Sequence, residues 1–363
     1  MPKVKVNLAE RSYTVHVERG ALDRAASLLP RGLKVTRAFI VSDENVAPLY
    51  AKRAEASFAA AGLPVSVAVM PAGEGEKNLA RLEWLYHEIV KAGLDRKSLV
   101  IALGGGVVGD VAGFAAATYM RGVPLMQVPT TIVAQVDSSI GGKTGVDLPE
   151  GKNLVGAFYQ PVAVVTDPET LSTLPAREVR AGLAEVVKHG VILDAAYFQR
   201  LERLGEALTR MDASTAEEVI LRSVEIKADV VSRDEREAGL RAILNFGHTA
   251  AHALETVTGY SKYLHGEAVA IGMVVAARIA VAMRMADGTV ASRIVALLAH
   301  VGLPTDGAGA SADACMDAMM RDKKTLSGKA RFVLPRAIGA IEIVDSVPEG
   351  TVRRALVATG FAG

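Results

Sequence analysis

Short apolar runs alternate with longer amphipathic segments along the first half of the chain. The amphipathic segments Ala47–Ala61 and Leu79–Ala92 are each followed by a glycine, as helices commonly are. The apolar runs predict strands, namely a pair within Val4–Val17, then Ala38–Val41, Val65–Met70, Leu99–Leu103, Leu125–Val128 and Ala163–Thr166. Strands that alternate with helices indicate βαβ units. We therefore predict an α/β domain with a mostly parallel sheet in the first half.

The pattern changes after about Pro175, where long segments of helical periodicity dominate. The predicted helices are Ala176–Leu193, Thr215–Glu235, Thr249–Thr256, Gly266–Ala286 and Val290–His300. Few apolar runs bounded by turns remain in this half. We therefore predict two domains, an α/β domain over residues 1–174 and an all-α domain over residues 175–363.

Composition narrows the function classes. The formal net charge of +1 gives no overall field that would favour nucleic acid or an anionic membrane. The one cysteine, Cys315, cannot form an internal disulfide and lies in an apolar helical pattern, which indicates a small buried hydrophobe. The N-terminal residues lack the apolar core of a signal sequence, and no long apolar run is free of charge. We expect a cytoplasmic protein that binds neither nucleic acid nor a membrane.

A glycine-rich turn follows the predicted strand Leu99–Leu103. Residues Gly104–Asp110 match G-x-G-x-x-G and precede an alanine-rich helix, which is the context of a pyrophosphate site at a helix N-terminus. In the usual dinucleotide fold an acidic residue ends the next strand, but Thr130 and Thr131 stand there and the strand-end acid Asp43 lies upstream. The turn therefore either binds no dinucleotide or serves a different strand order.

A second small-residue segment, residues 137–145, resembles a P-loop only superficially because the first glycine of that motif is missing. It contains Lys143, and Lys152 and Asn153 follow nearby. We interpret the segment as a loop that could hold an anion. Exposure of both lysines to solvent is an equal alternative.

Histidines and one carboxylate gather in the helical half. The candidates for a metal site are Glu185, His189, His248, His252 and His265. Spacings of three and four residues place Glu185, Lys188 and His189 on one helix face, and His248 and His252 on another. Two histidines and one carboxylate suit a catalytic zinc with an open position. Spacing alone does not choose among the four histidines.

Cationic residues form a further candidate set for an anionic substrate, although each could be a solvated surface charge. The set is Arg121, Lys188, Lys227, Arg241, Lys323 and Lys324.

Several of these segments together resemble one family, the 3-dehydroquinate synthases. The matching segments are residues 104–110, 128–131, 134–145, 181–188, 244–252 and 265–269. Their order and spacing fit from about Asp43 to Lys324. The resemblance implies a dehydroquinate synthase-like fold, with an NAD-binding α/β domain, an α-helical metal domain and a sugar phosphate bound in the cleft between them. It also implies a homodimer.

The resemblance also assigns residues. It implies NAD contacts by Asp43, Asn45, Glu74, Lys77, Gly105, Gly106, Val107, Asp110, Thr130, Thr131, Asp137, Lys143, Lys152 and Asn153. It implies zinc, or cobalt as a substitute, on Glu185, His248 and His265, and so leaves out His189. It implies catalytic substrate contacts by Arg121, Lys188, Lys227, Arg241, Asn245, His252 and one residue of the pair Lys323–Lys324, of which we favour Lys324.

Three other functions stay open at this point. The nearest is a related sugar-phosphate cyclase that makes 2-deoxy-scyllo-inosose or an epi-valiolone. The second is a zinc polyol dehydrogenase of the glycerol dehydrogenase type, which would produce net NADH. The third is an NAD-binding protein without catalysis. The resemblance favours conversion of 3-deoxy-D-arabino-heptulosonate 7-phosphate to 3-dehydroquinate and phosphate.

Overall fold

The computed structural model describes residues 2–325 and 331–363, with the side chains of residues 321–325 left out. The chain divides into two compact units. One unit comprises residues 1–174 and 216–236, and the other comprises residues 175–215 and 237–363.

The first unit is built on a seven-stranded sheet with the strand order β1-β2-β9-β6-β5-β3-β4. Its strands and those of a separate hairpin are β1 (Lys3–Val6), β2 (Tyr13–Val17), β3 (Ala38–Asp43), β4 (Val65–Met70), β5 (Leu99–Gly104), β6 (Leu125–Pro129), β7 (Lys143–Leu148), β8 (Gly151–Phe158) and β9 (Ala163–Thr166). Only the β1–β2 pair of the sheet is antiparallel. The predicted parallel sheet is therefore confirmed, with each predicted strand within a few residues of its observed bounds.

Helices cover both faces of this sheet, as a parallel sheet requires. They are α1 (Ala47–Ala60), α2 (Leu79–Lys91) and α3 (Gly106–Thr118). Strands β3 and β5 alternate their side chains between two buried clusters, so that Phe39 and Val41 face one cluster while Ile40 faces the other. The carboxyl ends of β3, β5 and β6 lie side by side because these strands are neighbours and parallel.

The hairpin of β7 and β8 corrects one interpretation, because residues 143–145 form a strand where we expected a loop. Gly145 stands opposite Gly156 in this hairpin. A Cβ at Gly156 would lie 2.1 Å from the carbonyl oxygen of Thr144, so the two backbones approach too closely for side chains. Glycines are unfavourable in strands in general, which is why the pattern did not predict one here.

The second unit is mainly helical. Its helices, together with one that belongs largely to the first unit, are α4 (Ala176–Leu193), α5 (Ala195–Leu204), α6 (Glu206–Arg210), α7 (Ala213–Arg233), α8 (His248–Val257), α9 (His265–Ala282), α10 (Gly288–His300), α11 (Ala312–Thr325) and α12 (Glu349–Ala358). A hairpin of β10 (Phe332–Ala337) and β11 (Ala340–Val344) was not predicted. The helical character of this half is confirmed.

Most of α7 groups with the first unit. The backbone N–H of Asn7 donates to Ser232 Oγ at 2.9 Å, and Arg11 forms an ion pair with Glu235 at 2.7 Å. Residues 216–236 were placed in the second domain by the sequence pattern, which does not reveal the partner of a helix. The proposed domain boundaries, 1–174 and 175–363, stay a prediction.

Helix α9 is the central helix of the second unit. Among the described residues it is the one helix that is long and apolar enough to cross a membrane, but 72% of that stretch is buried, as in the core helix of a folded domain. Two glycines let its neighbours approach closely. A Cβ at Gly266 would lie 1.8 Å from the carbonyl oxygen of Ala181 on α4, and one at Gly272 would lie 1.9 Å from that of Gly247, just before α8.

Candidate active site

Three side chains from three helices converge in the second unit. Glu185 lies in the middle of α4 and is buried, whereas His248 and His265 are the first residues of α8 and α9. The Nε2 atoms of His248 and His265 lie 3.8 Å and 3.9 Å from Glu185 Oε1. One ligand atom from each residue lies within 4.8 Å of the other two. This arrangement could hold a metal ion at its centre.

The two histidines are held so that the same ring nitrogen faces the carboxylate. His248 Nδ1 lies 3.2 Å from the carbonyl oxygen of Phe246, and His265 Nδ1 lies 3.3 Å from Glu255 Oε1. A proton on each Nδ1 leaves the lone pair on Nε2, the form that binds a metal. Burial, with the charge of Lys188, holds the pKa of His248 well below its usual value, so this ring is neutral at pH 7.

The carboxylate of Glu185 provides a test of whether the residues fit a metal. Its Oε1 is buried and accepts no hydrogen bond within the described part of the chain. A buried carboxylate oxygen without a donor is costly. A divalent cation beside Oε1 and the two Nε2 atoms would remove that cost. The donor set therefore fits zinc or a similar metal, although the role of these three residues as ligands stays a prediction.

The other histidines occupy different positions. His252 is exposed, and its ring centroid lies 5.5 Å from that of His248 and 6.3 Å from that of His265. His189, which helix spacing also allowed as a ligand, is fully buried on α4. Glu185, His248 and His265 thus form the set that the resemblance implied, but a ring nitrogen of His189 also lies within 4.8 Å of a carboxylate oxygen of Glu185, so the choice of ligands stays a prediction.

Buried cations accompany this set. Lys188 forms a hydrogen-bonded ion pair with Glu185 Oε2, and both side chains are 1% exposed. Arg241 is also 1% exposed, and Asn245 Nδ2 donates to Glu237 Oε1 at 2.7 Å. Burying cations is expensive unless acidic or anionic groups compensate. Glu185 compensates the charge of Lys188 in this way.

In the first unit, the glycine turn begins α3. Gly105 precedes the helix without a side-chain cap, and Gly105 and Gly106 are partly exposed, so the first N–H groups of α3 can reach an anion. Gly109 has a packing reason as well, because a Cβ there would lie 3.0 Å from Gln127 Oε1. Thr130 directly follows the neighbouring strand β6, and its buried hydroxyl has no hydrogen-bond partner among the described residues.

Lys77 is the centre of a network beside this turn. Its Nζ lies 2.6 Å from Asp110 Oδ2 and donates to Asn153 Oδ1 at 2.5 Å. Burial lowers the pKa of Lys77, but the charge and hydrogen bond of Asp110, together with the charges of Glu74 and Asp147, outweigh burial and raise this pKa overall. Three residues that the resemblance assigned to NAD, far apart in the sequence, are therefore in direct contact.

Asp147 completes this network, and the sequence analysis missed it. Its N–H donates to the carbonyl oxygen of Lys77 at 2.7 Å, and its Oδ1 accepts the N–H of Asn153 at 2.7 Å. The register of the β7–β8 hairpin shifts at this position, and Asn153 has a φ of 56°. Bulges of this kind often re-aim side chains near functional sites. Recognising the hairpin in the sequence would have been needed to find Asp147.

The remaining predicted nucleotide residues lie at strand ends or on the hairpin. Asp43 ends β3 and accepts the N–H groups of Asn45 and Val46 at 2.9 Å and 3.0 Å. Glu74 forms an ion pair with Lys152 at 3.2 Å. Three more are Val107, which is half-buried in the first turn of α3, Lys143, which is exposed at the start of β7, and Thr131, whose hydroxyl accepts the N–H of Ala134.

Asp137 and Lys227 are joined, although we assigned one to the nucleotide and the other to the substrate. Lys227 Nζ lies 2.6 Å from Asp137 Oδ1 and donates to the carbonyl oxygen of Asp137 at 2.6 Å. Asp137 belongs to a π-helical turn, Ala134–Ser138, a feature frequent at functional sites.

Arg121 is exposed at a strained turn. Met120 and Arg121 have φ angles of 47° and 67°, a region that residues other than glycine adopt at a cost. Lys323 and Lys324 belong to the last turn of α11, and their side chains lie outside the described residues.

Known proteins match this chain over most of its length. Two family models match, "3-dehydroquinate synthase N-terminal" over residues 67–181 and "3-dehydroquinate synthase C-terminal" over residues 182–325. The 3-dehydroquinate synthase of Pelobacter propionicus is 50% identical over 350 residues, which cover 96% of this chain and 97% of the relative. The chain belongs to the 3-dehydroquinate synthase family.

Solved structures of other sugar-phosphate cyclases are similar to this member of the 3-dehydroquinate synthase family. The 2-epi-5-epi-valiolone synthase of Streptomyces hygroscopicus, with NAD⁺ and Zn²⁺ bound, is 30% identical with a TM-score of 0.89, over 97% of this chain and 98% of that one. A 2-deoxy-scyllo-inosose synthase complexed with carbaglucose-6-phosphate, NAD⁺ and Co²⁺ is 28% identical with a TM-score of 0.89, over 98% and 100%. The fold class is therefore confirmed, and the chain is an enzyme of the phosphate-eliminating cyclase type.

Proposed function

We propose that this chain converts 3-deoxy-D-arabino-heptulosonate 7-phosphate to 3-dehydroquinate and phosphate, with NAD and a divalent metal, zinc or cobalt, as cofactors. The observation that carries the proposal is the convergence of Glu185, His248 and His265, with an unpartnered carboxylate oxygen, beside a buried lysine. The chain that contains these residues is 50% identical to a 3-dehydroquinate synthase over nearly its full length.

A bound metal and NAD would supply chemistry that side chains lack, namely Lewis-acid polarisation of a substrate hydroxyl and reversible hydride transfer at that carbon. The chain's residues would hold both. Glu185, His248 and His265 would bind the metal. The N-terminus of α3, with Gly105 and Gly106, would bind the pyrophosphate, since its N–H groups are uncapped by a side chain.

The cationic residues would bind and orient the sugar phosphate. Lys188 and Arg241 are buried cationic side chains suited to an anionic ligand, and His252 lies beside the metal set. Further contacts with the substrate are predicted for Lys227, Arg121, Asn245 and Lys324. Oxidation at one carbon would acidify the neighbouring C–H, so that loss of this proton to a phosphate oxygen, with cleavage of the C–O bond, would release phosphate by β-elimination. Residues that fix the phosphate would therefore also fix the leaving group.

One assay tests the proposal against related activities. The protein is incubated with the heptulosonate phosphate, catalytic NAD and zinc, and both phosphate and NADH are measured. Stoichiometric phosphate without net NADH is expected. Net NADH from glycerol would indicate a polyol dehydrogenase, and turnover of glucose 6-phosphate instead would indicate an inosose synthase. Either result would overturn the proposal.

A second experiment tests the ligand assignment. We expect His265→Ala to lose bound zinc after dialysis, measured by elemental analysis, whereas unchanged zinc content would refute the assignment. A homodimer stays a prediction from the family resemblance, and a cytoplasmic location stays a prediction from the sequence; light scattering in solution would test the first.

A further inference from the structure

Glu255 is a buried carboxylate that the sequence analysis did not single out. It lies on α8, 3% exposed, seven residues after His248 and three after His252, so all three side chains share one face of the helix. Burying an acidic group costs free energy unless a partner pairs or hydrogen-bonds with it.

The ring of His265 lies between two carboxylates. Its Nδ1 is 3.3 Å from Glu255 Oε1, and its Nε2 is 3.9 Å from Glu185 Oε1. A carboxylate can only accept a hydrogen bond, so contact with Glu255 requires a proton on Nδ1. In the neutral ring, that proton leaves the lone pair on Nε2, on the side of the candidate metal site.

We propose that Glu255 is a positioning residue that fixes the tautomer and the ring orientation of His265 and thereby sets metal affinity. The inference rests on the proposed function, because it assumes that His265 binds the metal. Outer carboxylates of this kind orient metal-binding histidines and make them better donors in general.

The Nδ1 atoms of His248 and His265 contact different kinds of group, so the role of Glu255 can be tested. His248 is held by the backbone carbonyl of Phe246, which a substitution cannot remove. His265 is held by a side chain, which a substitution can remove. Loss of Glu255 should therefore release one ligand and leave the other in place.

The test compares the full chain with Glu255→Ala, Glu255→Gln and the control Glu178→Ala, a half-buried carboxylate at the start of α4. Each metal-free protein is titrated with zinc against a chromophoric chelator, and with Co²⁺ while the visible absorption of bound cobalt is recorded. We expect E255A to bind zinc about 10- to 100-fold more weakly. E255Q, which keeps an oxygen that accepts the Nδ1 proton, should lose less, and E178A should match the unsubstituted chain.

The cobalt spectrum separates positioning from general support of the fold. If Glu255 positions His265, the band shape and intensity of the E255A complex change, because one nitrogen ligand is lost or misplaced. Unchanged affinity and an unchanged spectrum in E255A would overturn the inference. Equal losses in E255Q and E255A, with the spectrum unchanged, would also overturn it. Absence of metal binding in the unsubstituted chain would instead overturn the proposed function.

Discussion

Gly272 is the position where the structure makes its sharpest prediction about the metal site. An alanine Cβ there would lie 1.9 Å from the carbonyl oxygen of Gly247 and 3.1 Å from the N–H nitrogen of Ala251. Real Cβ contacts begin at about 3.0 Å, so α8 would have to move by at least roughly 1.1 Å. The obstacle is backbone and cannot rotate away. His248, the residue after Gly247, would move with it.

The expected effects of Gly272→Ala follow from this displacement. Overpacking typically costs about 1–3 kcal/mol, and a backbone obstacle places this variant near the upper end. A loss of about 3 kcal/mol should lower the melting temperature by roughly 6–12 °C. Ligands must be held within about 0.5 Å of their working geometry, so metal affinity should fall as well.

Two measurements and one control check this reasoning. Thermal unfolding is followed in excess chelator, which isolates the packing cost, and metal affinity is measured separately by chelator competition. The control is Gly288→Ala, because Gly288 begins α10 and has nothing within 4 Å of its Cβ position. It should be neutral or slightly stabilising. A melting temperature of Gly272→Ala within about 2 °C of the parent, with unchanged metal affinity, would refute the argument.

Three further predictions concern other parts of the chain. Lys188→Met leaves the buried carboxylate of Glu185 without its ion-pair partner. In excess chelator it should lower the free energy of unfolding by about 3–5 kcal/mol, and adding zinc should recover most of this loss. An equal loss of thermal stability with and without zinc would contradict this. Asp147→Ala removes the acceptor of the Asn153 N–H and should weaken NAD binding about 2- to 10-fold by calorimetry, so an unchanged dissociation constant would count against its positioning role. Burial raises the pKa of Cys315 from 9.0 to about 11, which leaves about 100-fold less thiolate at pH 8. Iodoacetamide should therefore modify the folded chain at least about 100-fold more slowly than the urea-unfolded chain, and equal rates would disprove this.

The parts of the fold that the sequence predicted are those with a strong local pattern. β5 is a continuous apolar run, and α4 keeps its helical period from Ala176 to Leu193, so each was predicted within a residue of its observed bounds. The β7–β8 hairpin was not, because its pairing depends on Gly145 and Gly156 coming together across the turn. Pairing of this kind is a tertiary event that local propensity does not record.

The candidate site likewise has parts that the sequence could predict and parts that it could not. Helix spacing placed Glu185 and Lys188 on one face, and the structure pairs them. Spacing could not choose among the histidines, since His248 and His265 meet only where α8 and α9 begin. Glu255 escaped notice because an acidic residue in a helix is ordinary until its burial is known.

The path of the chain through its two units bears on how the protein folds. The helical unit is interrupted, because residues 216–236 belong with the α/β unit and the chain returns only at residue 237. Glu185 precedes this excursion, whereas His248 and His265 follow it. A metal on these three residues would close a loop of chain that runs through the other unit, and closing a long loop removes entropy from the unfolded chain. A fragment that starts at residue 175 would carry α7 and Glu235 without Asn7, Arg11 and Asp137, their partners in the α/β unit. Assembly of the metal site is therefore tied to the folding of a sheet that supplies none of its ligands.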